Sequence, residues 1–116
     1  MPLAFDAGGP EPHPASGLHD LVHQRARLGV LAILREADRA EFAYLRASLG
    51  LTDGNLSAHL RTLEDAGYVL VHKGYEGRRP KTWVSLSRAG ARALDQELAV
   101  LRTLVSRLEG RPDRGR

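Results

Sequence analysis

Between residues 51 and 83, LTDGNLSAHLRTLEDAGYVLVHKGYEGRRPKTW, the hydrogen-bonding and cationic side chains fall into two groups. Asn55, Ser57, Arg61 and Thr62 lie along one amphipathic stretch. Lys73, Arg78, Arg79 and Lys81 crowd a second, with Tyr75 among them. An amide or hydroxyl can bond base edges or phosphate oxygens, and a guanidinium can reach guanine or a phosphate. Four cations against the single carboxylate of Glu76 leave a local charge of +3 within residues 73–81, to which His72 adds a partial charge. A cation cluster of this kind is drawn to the phosphate backbone of nucleic acid. Arginines at the tip of such a loop, here Arg78 or Arg79, can enter a minor groove, where the potential is most negative when the groove is narrow. Tyr75 can stack on sugar or pack under the loop, and the sequence does not separate the two.

These side chains need elements to hold them. Leu56, Leu60 and Leu63 recur at spacings of four and three, which predicts a helix buried along that stripe. At 100° per residue, Gly54, Ala58 and Arg61 then fall on the opposite face, flanked by Asn55, Ser57 and Thr62. Gly54 and Ala58 are small enough to let the backbone approach a groove closely. Thr52 is placed to cap the helix by accepting from the N–H of Gly54 or Asn55, with a phosphate contact as its second reading. Asp53 suits the helix dipole but repels phosphate, so it is expected to face sideways or to accept from a cytosine amine. Gly67 stops the helix in the left-handed conformation. Tyr68–Val71 and Thr82–Leu86 are expected to be antiparallel strands around the turn-forming GYEGRRP, with Trp83 in the core.

The remainder frames this unit. Leu18–Ala37 is expected to be a first helix, with Leu21, Leu28, Leu31 and Leu34 as its apolar stripe and Val22 and Val30 widening it. Asp38–Glu41 can form a single bridge of strand, and Glu41–Leu49 a short second helix ended by Gly50. Ser87 caps a last helix running to about Glu109. Its Leu94, Leu98, Leu101, Val105 and Leu108 recur at spacings of 4, 3, 4 and 3. Such a heptad-like seam, roughly 21 Å long, is expected to pair with a second copy of the chain, together with Leu21 and Leu28 of the first helix, the alternative being that it packs on the first helix of its own chain. The Pro- and Gly-rich residues 1–17 and the breaker-rich residues 110–116 are expected to be flexible tails around a single domain, 18–109.

Composition narrows the function classes. The chain has 116 residues, 42% apolar and only 5% aromatic, so one core of Leu, Val and Ala is expected. Fifteen arginines against two lysines, at a net charge of +3, fit a localised nucleic-acid footprint better than a uniformly cationic membrane binder. Without cysteine there is no disulfide, thiol redox chemistry or thiolate metal site. No run approaches the roughly 18 apolar residues of a membrane span, and no basic start leads into an apolar stretch, so a cytoplasmic location is expected. His19 and His23 stand four apart beside Asp20, but two ligands do not make a metal site, and His59 is expected to be a packing residue. No nucleophile–base spacing, phosphate-cradling glycine loop or metal triad is present, so neither catalysis nor a cofactor is expected.

The order of helix, helix, helix, strand, wing, strand, helix resembles the winged helix-turn-helix regulators of the MarR/ArsR type. The residues that carry the likeness are GLTDGNLSAHLRTLEDAGYV and GRRPKTWVSLSRAGARAL, within residues 18–108. The resemblance implies a mainly α fold with a small β-hairpin wing and a C-terminal dimerisation helix. It implies a dimeric DNA-binding regulator, usually a repressor, held together by its first and last helices. Twofold symmetry then matches a pseudo-palindromic operator with half-sites about 10 bp apart. Relatives place small-molecule effectors between those helices, but nothing in these apolar stripes names one. Metal-sensing relatives carry cysteines that this chain lacks, so ligand control does not transfer with the fold. The other reading is a winged helix serving as a protein-interaction module, its basic wing meeting an acidic partner. Such modules usually lose the wing charge or bulk up the recognition face, and this chain has done neither.

Overall fold

The computed structural model describes residues 11–110. Its elements are α1 (Asp20–His23), α2 (Arg25–Glu36), β1 (Ala40–Glu41), α3 (Phe42–Leu49), α4 (Asp53–Asp65), β2 (Val69–Glu76), β3 (Arg79–Leu86) and α5 (Arg88–Glu109). The strands form an antiparallel sheet in the order β1-β3-β2. The expected tails fall largely outside the described residues. Within the first of them, Pro14–Gly17 winds into one 3-10 turn, in which the His13 Nδ1 accepts from the Ala15 N–H.

The expected first helix is two helices. Gln24 is extended (ψ 133°), and its Oε1 accepts from the N–H groups of Ala26 and Arg27 at 2.9 and 3.1 Å, capping α2. No glycine or proline marks this break. It is held instead by one long-range bond, from the His19 N–H to Glu97 Oε1 of α5 at 3.0 Å, and one local bond across the break, from Arg27 Nε to the Leu21 carbonyl at 2.7 Å. Glu97 is 1% exposed. A buried carboxylate is tolerated only with such partners.

The remaining helix ends follow local chemistry. After α3, Gly50 (φ 64°) and Leu51 donate to the carbonyls of Ala47 and Arg46. After α4, Gly67 (φ 81°) and Tyr68 donate to those of Glu64 and Leu63. Both patterns satisfy the last carbonyls of a helix, and both need a left-handed residue that glycine supplies without strain. Leu56, Leu60 and Leu63 of α4 are buried together with Leu31, Leu45, Val69 and Val84, so α2, α3, α4 and the sheet share one core. Burying each such side chain contributes about 1.5–3 kcal/mol.

The hairpin is longer than the sequence suggests. β2 and β3 stay paired from Val69↔Leu86 to Glu76↔Arg79, leaving the two-residue turn Gly77-Arg78. Pro80 is accommodated because β1 reaches only Val84 and Trp83, so the other edge of β3 is open at that level. At its base the hairpin is tied to α5: the Ser87 N–H donates to the Tyr68 carbonyl (3.0 Å) and the Ser87 hydroxyl to the Gly67 carbonyl (2.6 Å). Ser87 Oγ also accepts from the Gly90 N–H, capping α5.

The seam on α5 divides along its length. Leu94 is 2% exposed and belongs to the domain's own core, which corrects its assignment to a dimer interface: the first turns of α5 lie on α2. Leu98 is half-buried against that core, as are Leu21 and Leu28. Beyond the half-buried Leu101 the helix leaves the domain, and Val105 and Leu108 are 52% and 69% exposed.

Candidate nucleic-acid interface

The surface that could meet DNA is built from α4 and the β2–β3 wing. Thr52 Oγ1 accepts from the Asn55 N–H at 3.1 Å, so the cap holds the first turn of α4. A threonine cap of this kind contributes about 1 kcal/mol. With Leu56, Leu60 and Leu63 turned inward, Gly54, Asn55, Ser57, Ala58 and Arg61 are all exposed. Thr62 is half-buried and donates its hydroxyl to the Ala58 carbonyl at 3.2 Å, which commits it to its own helix. Asp53 faces sideways, where Arg46 Nη1 of α3 meets Asp53 Oδ1 at 2.7 Å. That exposed pair partly offsets the one acidic charge at the start of the helix.

The strand register sorts the wing residues onto two faces. Lys73 and Tyr75 share the face of Val71, Thr82 and Val84, toward α4. Between that face and the helix runs a groove lined by the apolar Phe42, Leu60 and Val71, by Thr82, and by the exposed Ser57, Arg61, Lys73 and the carboxylate-bearing Glu64. Arg61 and Lys73 thus approach one space from different elements. Tyr75 is 75% exposed and does not pack under the wing. Arg78 sits in the turn after Gly77 (φ 64°), with Arg79 beside it, and both are exposed.

Lys81 lies on the other face and is not grouped with these residues. Its Nζ is 2.5 Å from Glu76 Oε1 and 3.4 Å from Glu41 Oε1, and its side chain is only 15% exposed. The hydrogen bond from Lys81 holds the Glu76 carboxyl below the usual carboxylate range, and the same bond raises Lys81 above the ordinary lysine value. The charge counted on the wing from sequence is therefore reduced: Lys73, Arg78 and Arg79 remain as its exposed cations. Trp83 is also on this outer face, half-buried, with the Arg39 guanidinium stacked 3.9 Å from its ring centroid. This corrects its expected place in the core: in β3 it is Val84, on the opposite side of the strand, that points inward.

Three residues that shape the site were not singled out from sequence. Arg46 could have been noticed as a basic residue seven before Asp53, across the Gly50 turn. Glu41 and Arg39 act through strand pairing of β1 with β3, which no local signal indicates. His59 packs as expected, half-buried on the side of α4, with its Nδ1 3.4 Å from Arg27 Nη1. Burial, then the Arg27 charge, pushes its imidazole below the usual histidine range. Among the described residues no group of three or more His, Asp or Glu side chains is arranged to hold a metal ion. No helix among them is long and apolar enough to cross a membrane.

A family profile described as a winged helix DNA-binding domain matches residues 26–105. An uncharacterized protein of Methanocaldococcus jannaschii is 35% identical over 83 residues, covering 72% of this chain and 90% of its own length. The structure of a transcriptional regulator homologue from Pyrococcus horikoshii superimposes with a TM-score of 0.72 at 30% identity, covering 77% of this chain and 88% of that one. The Mycobacterium tuberculosis transcriptional regulator MosR, solved in complex with DNA, shares the fold with a TM-score of 0.65 at 18% identity, covering 85% of this chain and 71% of its own. MarR-family regulators are among the solved structures of the same fold. The chain belongs to the winged helix DNA-binding domain family and carries the fold of the MarR-type transcriptional regulators.

Proposed function

We propose that the protein is a sequence-specific regulator of transcription that binds duplex DNA as a homodimer and acts as a repressor. In this reading α4 enters the major groove through its exposed Gly54–Arg61 face, and the wing lies along the backbone with Arg78 and Arg79 at the minor groove. The observation that carries the proposal is the pairing of these two surfaces. An exposed helix face of small and polar residues, with Asp53 held sideways by Arg46, stands across a groove from Lys73 on the wing. In this reading Arg61 and Lys73, which line that groove with Glu64, meet a phosphate there. Thr52 adds a hydroxyl at the helix start, with its cap bond already made. Lys81 braces the wing and makes no phosphate contact.

The exposed Val105 and Leu108 with the half-buried Leu98 and Leu101 supply the apolar surface for a second copy, and a dimer presents two α4 helices to half-sites about 10 bp apart. Occupying both half-sites across a promoter blocks polymerase, which is the repressor action.

A mobility-shift titration against duplex from the protein's own promoter region, at two salt concentrations with competitor DNA, tests this. A discrete, competitor-resistant complex that weakens steeply with salt is expected. A folded protein that forms no complex at low salt would rule the proposal out.

A further inference from the structure

Resting on the proposed DNA binding, the geometry points to an A·T core in each half-site, with an adenine read by Asn55 and a thymine methyl met by Ala58. From Gly54 to Arg61 the helix advances seven residues, or about 10.5 Å, which spans roughly three base pairs. Over that span the groups facing outward differ in what they can recognise. Asp53 is drawn sideways by Arg46, which engages its Oδ1 at 2.7 Å. The Thr62 hydroxyl is occupied by the Ala58 carbonyl. Arg61 lines the groove between helix and wing with Lys73 and Glu64, and this inference assigns it to the backbone there.

What stays free in the first two turns is the Asn55 amide, the Ser57 hydroxyl and the Ala58 methyl, all exposed. A side-chain amide pairs bidentately with N6 and N7 of adenine, and a methyl packs on the C5-methyl of thymine. Guanine is most often read by arginine or lysine, and neither occurs between Asp53 and Leu60. Gly54 has nothing within 4 Å of where a Cβ would stand, so the backbone itself can approach the base edges at the helix start.

Selection of binding sites from a randomised duplex pool, followed by affinity measurements on the enriched site, tests this. The enriched half-site is expected to carry A·T pairs at its centre. Replacing the contacted thymine by uracil, which leaves the protein untouched, is expected to weaken binding by about fourfold, the worth of one buried methyl. Asn55→Ala is expected to lose about 5- to 150-fold on the adenine-containing site, the range of one bidentate pair. It is expected to lose nothing on a site already changed at that base. A guanine core whose selection disappears in Arg61→Ala would overturn the inference. So would salt-dependent binding that enriches no sequence, or equal affinities for the thymine and uracil duplexes. Failure to bind any duplex would instead overturn the proposed function itself, so the two failures are distinguishable.

Discussion

Lys81 and the arginine pair at the wing tip carry the same formal charge, and their surroundings assign them opposite roles. Lys81 is held between Glu76 at 2.5 Å and Glu41 at 3.4 Å with 15% of its side chain exposed, whereas Arg78 and Arg79 are exposed at the turn. Each phosphate a protein neutralises on B-DNA contributes about 0.9 to the slope of log affinity against log salt. Raising salt from about 50 to 200 mM is a fourfold change, so each such contact accounts for roughly 3.5-fold in affinity and two for roughly 12-fold. Replacing Arg78 and Arg79 together by alanine is therefore expected to lower the slope by about 1.8. Lys81→Met is expected to leave the slope unchanged, because its charge is already neutralised within the protein. Some loss of affinity is still expected for Lys81→Met, since the ties from β3 to Glu41 and to Glu76 of β2 are cut and the wing is less well held. Fluorescence anisotropy with a labelled duplex over a salt series measures both quantities. A slope reduced by Lys81→Met as much as by one arginine replacement would refute the reasoning.

Two glycine replacements are expected to have opposite signs. A Cβ at Gly90 would stand 2.1 Å from the Tyr68 carbonyl oxygen, over 1 Å inside an ordinary contact of about 3.3 Å. The forced shift strains the Ser87 bonds, so Gly90→Ala is expected to lose roughly 2–3 kcal/mol after the helix-propensity gain of about 1 kcal/mol is deducted, read as a lowered Tm. Gly54→Ala meets nothing within 4 Å and is expected to gain about 0.5–1 kcal/mol while weakening DNA binding, as its methyl stands where the backbone would approach the groove. Val105→Glu with Leu108→Glu places charges on exposed apolar positions, and sedimentation is expected to show a folded monomer; a persisting dimer would place the interface elsewhere. His59 titrates below its ordinary 6.5 because burial and Arg27 disfavour the charged form. The unfolded chain then binds the proton more readily, so the contribution of His59 to stability is present above that value and is lost as pH falls through the lower folded one. Denaturant melts between pH 7 and 5 are expected to show a loss that His59→Gln reduces, and equal losses in the two proteins would contradict this.

Helix α4 was legible in the sequence because its signals are local. Thr52 caps within three residues, three leucines repeat on one face, and Gly67 supplies the left-handed stop. Ser87 and Gly50 were legible for the same reason. The wing strands were underestimated, since GYEGRRP read as a turn, yet Gly74, Tyr75, Glu76, Arg79 and Pro80 are paired in the strands and only Gly77-Arg78 turns. What could not be read was set by partners distant in sequence. The break at Gln24 depends on Glu97, 78 residues beyond the amide it accepts from, and the neutralisation of Lys81 depends on Glu41, 40 residues before it. Counting charges along the chain overstates a basic patch when the fold brings carboxylates to it. Leu94 looked like the start of an intermolecular seam because a heptad spacing is the same whether the facing helix belongs to the same chain or to another.

Amide chemical-shift mapping during titration with a duplex carrying the selected site tests the central claim most directly. Perturbations concentrated at residues 54–62 and at Lys73, Tyr75, Arg78 and Arg79 are predicted, with the outer sheet face at Leu70, His72 and Trp83 little affected. Perturbations centred on that outer face, or none at all on a folded protein, would contradict the assignment of α4 and the wing as the DNA-binding surface.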